Sequence, residues 1–173
     1  YELMTEAEVL TIFRRSGALL EGHFRLTSGL HSPGYLQCAL VLQHPREAQA
    51  LGEALGQLVR TLGAQTVMSP AMGGVVIGQE VGRALGVRAI FAERADGALT
   101  LRRGFSLEPG EKVLIFSEYK DTVEYVADAL AKRGVTSVAG VSGQTGDPTK
   151  LVPWSFSSRA RVTSGLSNTE EAN

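Results

Sequence analysis

Lys112-Val-Leu-Ile-Phe-Ser-Glu-Tyr-Lys-Asp-Thr-Val-Glu-Tyr125 decides how this chain is read. The apolar run from Val113 to Phe116 has the length of a buried strand. It ends in a polar turn and opens at once into a helical pattern. In a parallel α/β sheet such a strand-to-helix turn lies at the carboxyl edge, where ligands bind. Whatever chemistry the protein has is expected to pass through this stretch.

Downstream, Val123, Val126, Ala127 and Leu130 recur at helical spacing. Asp121 and Glu124 stand in the first turn and Lys132 and Arg133 in the last, complementing the helix dipole, and Gly134 ends the pattern. Residues 136–141 read as a last strand. From Ser142 the composition turns to Gly, Ser, Thr, Asn and Pro, so residues 142–173 are expected to be loop or a ragged tail on a domain of residues 1–141.

Upstream, Pro109-Gly110 is a turn, and Ala95-Asp96-Gly97 a hairpin turn between a strand at 88–93 and a return through Thr100 to Arg103. A helix at about 75–85 carries Val76, Ile77, Val81 and Leu85 on one face and stops at Gly86. Residues 66–69 read as a short strand. Pro45 opens a helix with Ala48, Leu51, Leu55, Leu58 and Leu62 on one face and Gly63 beyond it. Residues 35–42 read as a strand, preceded by turns at Ser28-Gly29 and His31-Ser-Pro-Gly34. Thr5-Glu-Ala-Glu8 is a capping box before a short helix through Val9, Ile12 and Phe13. Strands alternating with helices predict βαβ units and a parallel sheet with right-handed crossovers.

Composition excludes several classes. With 43% hydrophobic and 20% charged residues, 173 residues can build one globular core. A net charge of −1 gives no global field for nucleic acid or an acidic membrane, so neither partner is expected. The single cysteine, Cys38, cannot form a disulfide framework and fits a reducing cytoplasm. No apolar run reaches the roughly 18 residues of a membrane span. The chain opens on Tyr1 rather than Met, as a fragment or trimmed chain would.

Three stretches could carry chemistry. In Ser69-Pro-Ala-Met-Gly-Gly74 a strand ends, two glycines remove side chains and a helix begins. Backbone N–H groups there could hold an anion, although an ordinary turn needing glycine dihedrals has the same sequence. Arg94, Arg102 and Arg103, joined by the hairpin, could clamp a phosphate or diphosphate; a solvated hairpin is the bland alternative. In Arg25-Leu-Thr-Ser-Gly-Leu-His-Ser-Pro33, backbone N–H groups around Gly29 could hold a carboxylate. His31 has no carboxylate or second histidine nearby in sequence to orient it, and His23 and His44 carry no case. No metal-ligand spacing and no nucleophile–base pairing is visible.

Taken together, Gly17-Ala-Leu-Leu-Glu-Gly-His-Phe-Arg-Leu-Thr-Ser-Gly-Leu-His-Ser-Pro33, Leu42-Gln-His-Pro45, Ser69-Pro-Ala-Met-Gly-Gly-Val75, Phe91-Ala-Glu-Arg94 and Thr100-Leu-Arg-Arg-Gly-Phe105 resemble bacterial orotate phosphoribosyltransferases over about residues 10–115. The resemblance implies a three-layer α/β fold of type I phosphoribosyltransferase kind, Rossmann-like, with a mostly parallel sheet and a small N-terminal hood. It implies a cytoplasmic glycosyltransferase of pyrimidine biosynthesis, usually a homodimer, that joins orotate to phosphoribosyl diphosphate with Mg2+ and releases diphosphate. By position, Ala71, Met72, Gly73 and Gly74 would form the diphosphate loop, Thr27, Ser28 and Gly29 the orotate pocket, and Arg94, Arg102 and Arg103 a catalytic hairpin.

The opening stretch departs from that family. Its members follow the strand with two acidic residues and a Thr-Thr-Gly-Gly-Ser-like loop around the 5′-phosphate. Here stand Ser117-Glu118 and Asp121-Thr-Val-Glu-Tyr125. One acid remains, the glycines are gone, and two carboxylates face the phosphate position, each opposed charge costing on the order of 1 kcal/mol in water-like surroundings and about 4 when partly buried. Asp121 is placed to cap the helix itself. Glu118 and Thr122 remain as candidate substrate contacts, and transfer is expected to be impaired or absent. Residues 112–173, through 112–130 and Gly140-Val-Ser-Gly-Gln-Thr-Gly-Asp-Pro148, also resemble part of the C-terminal lobe of a superfamily 2 (SNF2-like) helicase. That implies a chimera with a seam near residues 111–115. A non-catalytic anion or nucleotide binding module is the alternative function.

Overall fold

The computed structural model describes residues 3–26, 29–116, 127, 128, 130–132 and 138. The chain divides into two compact units, residues 1–105 with 112–118 and residues 106–111 with 119–173.

The first unit opens with α1 (Glu6–Arg15). Its Thr5 side chain accepts from the Glu8 amide while the Glu8 carboxylate accepts from the Thr5 amide, the reciprocal cap expected from sequence. β1 (Leu19–Arg25) and β2 (His31–Leu36) follow as an antiparallel hairpin, a two-stranded sheet of its own. Next come α2 (Cys38–Leu42), α3 (Pro45–Val59) and a 3-10 turn over Arg60–Leu62 that Gly63 ends in the left-handed region, φ +62°. Then β3 (Thr66–Pro70), α4 (Val75–Leu85), β4 (Arg88–Ala95), β5 (Ala98–Leu101) and β6 (Val113–Ile115) build a four-stranded sheet in the order β5-β4-β3-β6. β3 runs parallel to β4 and β6, and β5 antiparallel to β4. This is the α/β architecture the alternating pattern predicts.

Glycines set the layer spacing. A Cβ at Gly52 of α3 would lie 2.5 Å from Glu80 Cβ of α4, and one at Gly56 2.9 Å from Ala84 Cβ. On the sheet side of α4, a Cβ at Gly78 would lie 2.6 Å from Ser69 Oγ and one at Gly82 2.8 Å from Ala89 Cβ. Neighbouring backbones thus approach more closely than any side chain would permit. A second packing centre gathers Phe13, Ala18, Val41 and Leu51, with Val9, Ile12, Leu19, Leu42 and Ile77 around it.

Four expectations are corrected. Residues 35–42 are not one strand: β2 ends at Leu36 and Cys38–Leu42 is helical, since a short apolar run reads alike as strand or buried helix. His31-Ser-Pro-Gly34 is not a turn but belongs to β2. The buried face of α3 runs through Ala48, Leu51, Gly52 and Gly56, leaving Leu58 exposed, and Val76 of α4 is exposed likewise. The run at Val113 is not the buried strand; Ile115 is 39% exposed, whereas Thr66 and Val67 of β3 are 0%. Among the described residues β3 and β4 are the inner strands, each with partners on both sides, and β6 lies at an edge.

In the second unit, the amide of Glu111 donates to the Glu108 carbonyl (3.0 Å) around Gly110, φ +84°, and residues 127, 128 and 130–132 are helical. The strand expected at 136–141 lies outside the described residues except for Val138, as does the expected tail.

Candidate functional site

The parallel strands β3, β4 and β6 all end at one edge of the sheet, and the first candidate loop sits there. Pro70 closes β3 and Val75 begins α4, so Ala71, Met72, Gly73 and Gly74 bridge strand and helix in four residues. The Ala71 amide donates to the Ala92 carbonyl of β4 (2.8 Å), tying the loop to its neighbour. Gly74 donates to the Pro70 carbonyl (3.0 Å) and Val75 to that of Met72 (3.1 Å). The peptide between Ala71 and Met72 is cis. A Cβ at Gly74 would sit 2.8 Å from Pro70 Cδ, so this position demands glycine. The amides of Met72 and Gly73 donate to no acceptor among the described residues, and Met72 is 86% exposed. Two accessible N–H groups before a helix start form a cradle of the kind anions occupy.

The arginines reach the same edge from β4. Its hairpin with β5 turns on Asp96 (φ +48°) and Gly97 (φ +80°), a two-residue loop with both central residues left-handed. Glu93 and Arg94 are adjacent on a strand and point to opposite faces. Arg94 Nη1 donates to the Gly97 carbonyl (3.4 Å). Arg103, at φ +61°, donates through Nε (3.1 Å) and Nη2 (2.9 Å) to the Glu93 carboxylate. That hydrogen bond holds the Glu93 carboxyl below its ordinary range, against a smaller opposing effect of burial and with added help from the Arg103 and Arg102 charges. The same bond raises Arg103. Phe91 and Phe105 pack edge to face at 5.1 Å beneath. The three arginines are therefore near one edge but not joined: Arg103 is tied to Glu93, Arg94 folds over the hairpin tip, and Arg102 is exposed.

The third candidate is the β1–β2 hairpin. Its loop closes through Leu26 N–H to the Leu30 carbonyl (2.8 Å) and Gly29 N–H to the Leu26 carbonyl (2.9 Å). Gly29 is exposed, at φ +83°; Thr27 and Ser28 lie outside the described residues. The register slips between Glu21 and Phe24, setting Gly22 and His23 against Pro33. Proline cannot donate to the ladder, which favours a bulge opposite it. The bulge brings His23 Nε2 into direct contact with His31 Nδ1, the ring centroids 4.6 Å apart. His31 thus does have a second histidine beside it, contrary to the reading from sequence spacing. The register slip accounts for the pair, and its sequence signals are Pro33 and, opposite it, Gly22 inside the strand.

The sequence relatives fall on one side. The chain is 52% identical over 140 residues to an orotate phosphoribosyltransferase of Pelotomaculum thermopropionicum, covering 79% of this chain and 73% of the relative. It is 45% identical over 159 residues to that of Chlorobaculum parvum, covering 89% and 82%. The chain belongs to the orotate phosphoribosyltransferase family. No family model matches it. Among solved structures, Leishmania donovani UMP synthase is similar at TM-score 0.59 and 19% identity, covering 71% of this chain and 28% of that one. An orotate phosphoribosyltransferase from Aeropyrum pernix is similar at TM-score 0.53 and 16% identity, covering 73% and 75%. These likenesses bear on the fold alone, and they agree with the type I phosphoribosyltransferase architecture.

Both sequence alignments span more of the chain than residues 1–115 contain, so the likeness to the orotate phosphoribosyltransferase family runs past Ile115. The Phe116 amide still donates to the Met68 carbonyl of β3 (2.9 Å), carrying the ladder toward Glu118. Glu118 and Thr122 themselves lie outside the described residues. At phosphate sites Mg2+ takes one or two carboxylates together with substrate phosphate oxygens rather than an all-protein cage. Among the described residues no group of three or more His, Cys, Asp or Glu could hold a metal ion. Among the described residues no helix is long and apolar enough to cross a membrane.

Proposed function

We propose that this chain is an orotate phosphoribosyltransferase whose 5′-phosphate loop has been replaced, so that transfer is impaired or absent. The reaction class is transfer of phosphoribose from phosphoribosyl diphosphate to orotate, with release of diphosphate, in pyrimidine biosynthesis. The observation that carries the reading is the Ala71–Gly74 turn at the carboxyl edge, with amides at Met72 and Gly73 that meet no acceptor among the described residues. The relatives' names support the substrates. In this reading the two amides bind the diphosphate, Thr27, Ser28 and Gly29 seat orotate, and Glu118 and Thr122 touch the ribose phosphate. Arg94, Arg102 and Arg103 stabilise the charge on the departing diphosphate, so positioning and electrostatics do most of the catalysis. A cytoplasmic homodimer is the corresponding assembly.

The impairment rests on residues 117–125, where Asp121 and Glu124 stand against a phosphate and no glycine remains. The test is a titration with phosphoribosyl diphosphate, with and without orotate. Absence of saturable binding below about 1 mM removes the enzyme reading. Replacing residues 117–125 by Glu-Asp-Val-Val-Thr-Thr-Gly-Gly-Ser should then restore binding; failure would place the damage elsewhere.

The same stretch favours a second reading, a non-catalytic module that keeps only the anion loop. That module would bind inorganic diphosphate and turn over nothing. A remnant helicase lobe would instead give salt-sensitive affinity for single-stranded nucleic acid.

A further inference from the structure

We propose that residues 102–105 form a strap latched across β4 by the Glu93–Arg103 pair, and that a phosphate-class anion opens it by taking Arg103 from Glu93. The latch is read from this chain's own contacts. Only the choice of anion rests on the function proposed above.

The register shows that the strap turns back on itself. β5 ends at Leu101, opposite Ala92. Continued in that register, Arg103 would stand opposite Ile90 and Phe105 opposite Arg88. Instead Arg103 reaches Glu93 and Phe105 packs against Phe91, both nearer the carboxyl end of β4. Two left-handed residues make the reversal, Arg103 (φ +61°) and Gly104 (φ +75°), and the Phe105 amide closes it on the Arg102 carbonyl (3.1 Å). Phe91 and Glu93 are alternate residues of one strand and so share a face. The strap is therefore fastened to that face at two points, one aromatic and one ionic.

A plain structural tie explains the ionic point less well. Glycine takes a left-handed conformation freely, whereas arginine there is strained. The chain accepts that strain at the residue whose guanidinium Glu93 holds. An exposed ion pair and one aromatic contact are together of the same order as the strain, so closed and open straps are nearly balanced. The position of the pair gives that balance a use. Ala92, next to Glu93, accepts the Ala71 amide (2.8 Å) and so joins the latch to the candidate anion loop. A guanidinium fork fits phosphate as it fits carboxylate, and a diphosphate carries more charge. An anion at the loop competes with Glu93 for Arg103, and its capture leaves only the aromatic contact to hold the strap.

The experiment digests the full chain with chymotrypsin and follows cleavage after Phe105 by mass spectrometry. Packing against Phe91 protects that bond in the closed strap, so where opening is fast relative to cutting the rate tracks the open population. Glu93→Gln should speed cleavage after Phe105 about two- to five-fold, the range of an exposed ion pair, and leave other sites unchanged. Exchanging the charges in the double variant Glu93→Arg, Arg103→Glu should return the parent rate, which a loss of packing would not do. Inorganic diphosphate should speed cleavage of the parent by a similar factor and that of Glu93→Gln hardly at all. Sodium chloride at equal ionic strength controls for screening. Unchanged cleavage in Glu93→Gln overturns the proposal, as does diphosphate that binds by calorimetry without opening the strap. No diphosphate binding below about 1 mM overturns the anion reading instead, and the Glu93→Gln and charge-exchange rates then decide the latch alone.

Discussion

At the scale of single residues, Arg103 donates two hydrogen bonds to the Glu93 carboxylate, so in the proposed reading an incoming diphosphate would compete with a group of its own charge. Glu93→Gln removes the competing charge while keeping the shape. It should tighten binding of inorganic diphosphate by up to about five-fold, the range expected of an exposed ion pair, as read by calorimetry. No gain, or a loss, would mean that Arg103 does not reach the anion. The pair also has a pH dependence. Glu93 is lowered in the folded chain, so its contribution is complete above the unfolded value and is lost as pH falls through the lowered folded one. The hairpin end should therefore stay tied through mildly acidic conditions and open only below the ordinary glutamate range, visible in the Arg103 Nε–H resonance. The candidate loop Ala71–Gly74 and the three arginines were legible in sequence because glycine and arginine have few uses at a strand end. The Glu93–Arg103 tie and the His23–His31 pair were not. Each depends on which face of a strand a side chain occupies, and one bulge or one left-handed residue resets that.

Elements were legible where their ends carry chemistry. Gly63 and Gly86 stop their helices at φ +62° and +71°, as read from sequence, and Asp96-Gly97 turns the β4–β5 hairpin. Thr5→Ala should cost about 1 kcal/mol of stability by leaving the α1 amides uncapped, measured by denaturant melt. The helix faces were less legible, because leucines mark an apolar stripe while the closest contacts belong to glycine. Gly78→Ala would place a methyl 2.6 Å from Ser69 Oγ and 2.9 Å from Ser69 Cβ. Overpacking of this kind should cost about 1–3 kcal/mol. Adding Ser69→Gly should recover part of the loss. An unchanged melt for Gly78→Ala would mean that α4 shifts freely on β3.

For the molecule as a whole, alternating strands and helices gave the α/β class, and residue order along the chain gave the family. Strand order was less accessible: the apolar run at Val113 has the length of a buried strand, yet β6 is at an edge of the described sheet while β3 and β4 are flanked on both sides, and hydrophobicity alone does not say which strands are flanked. We propose that residues 1–141 form the folded domain; removing 142–173 should then leave the melting temperature within about 4 °C, the shift worth roughly 1 kcal/mol at this size. The sheet carries one more consequence, in time rather than space. Thr66 pairs with Arg88 on one side and with Val113 on the other. During synthesis at about 5–20 residues per second, the second partner emerges roughly 1–5 s after the first. For that interval β3, with Val67 destined for full burial, has one unpaired edge able to accept a strand from another nascent chain. Translation speed between Arg88 and Val113 should therefore govern how much of this protein reaches its native state, and slowing it there should raise the aggregated fraction.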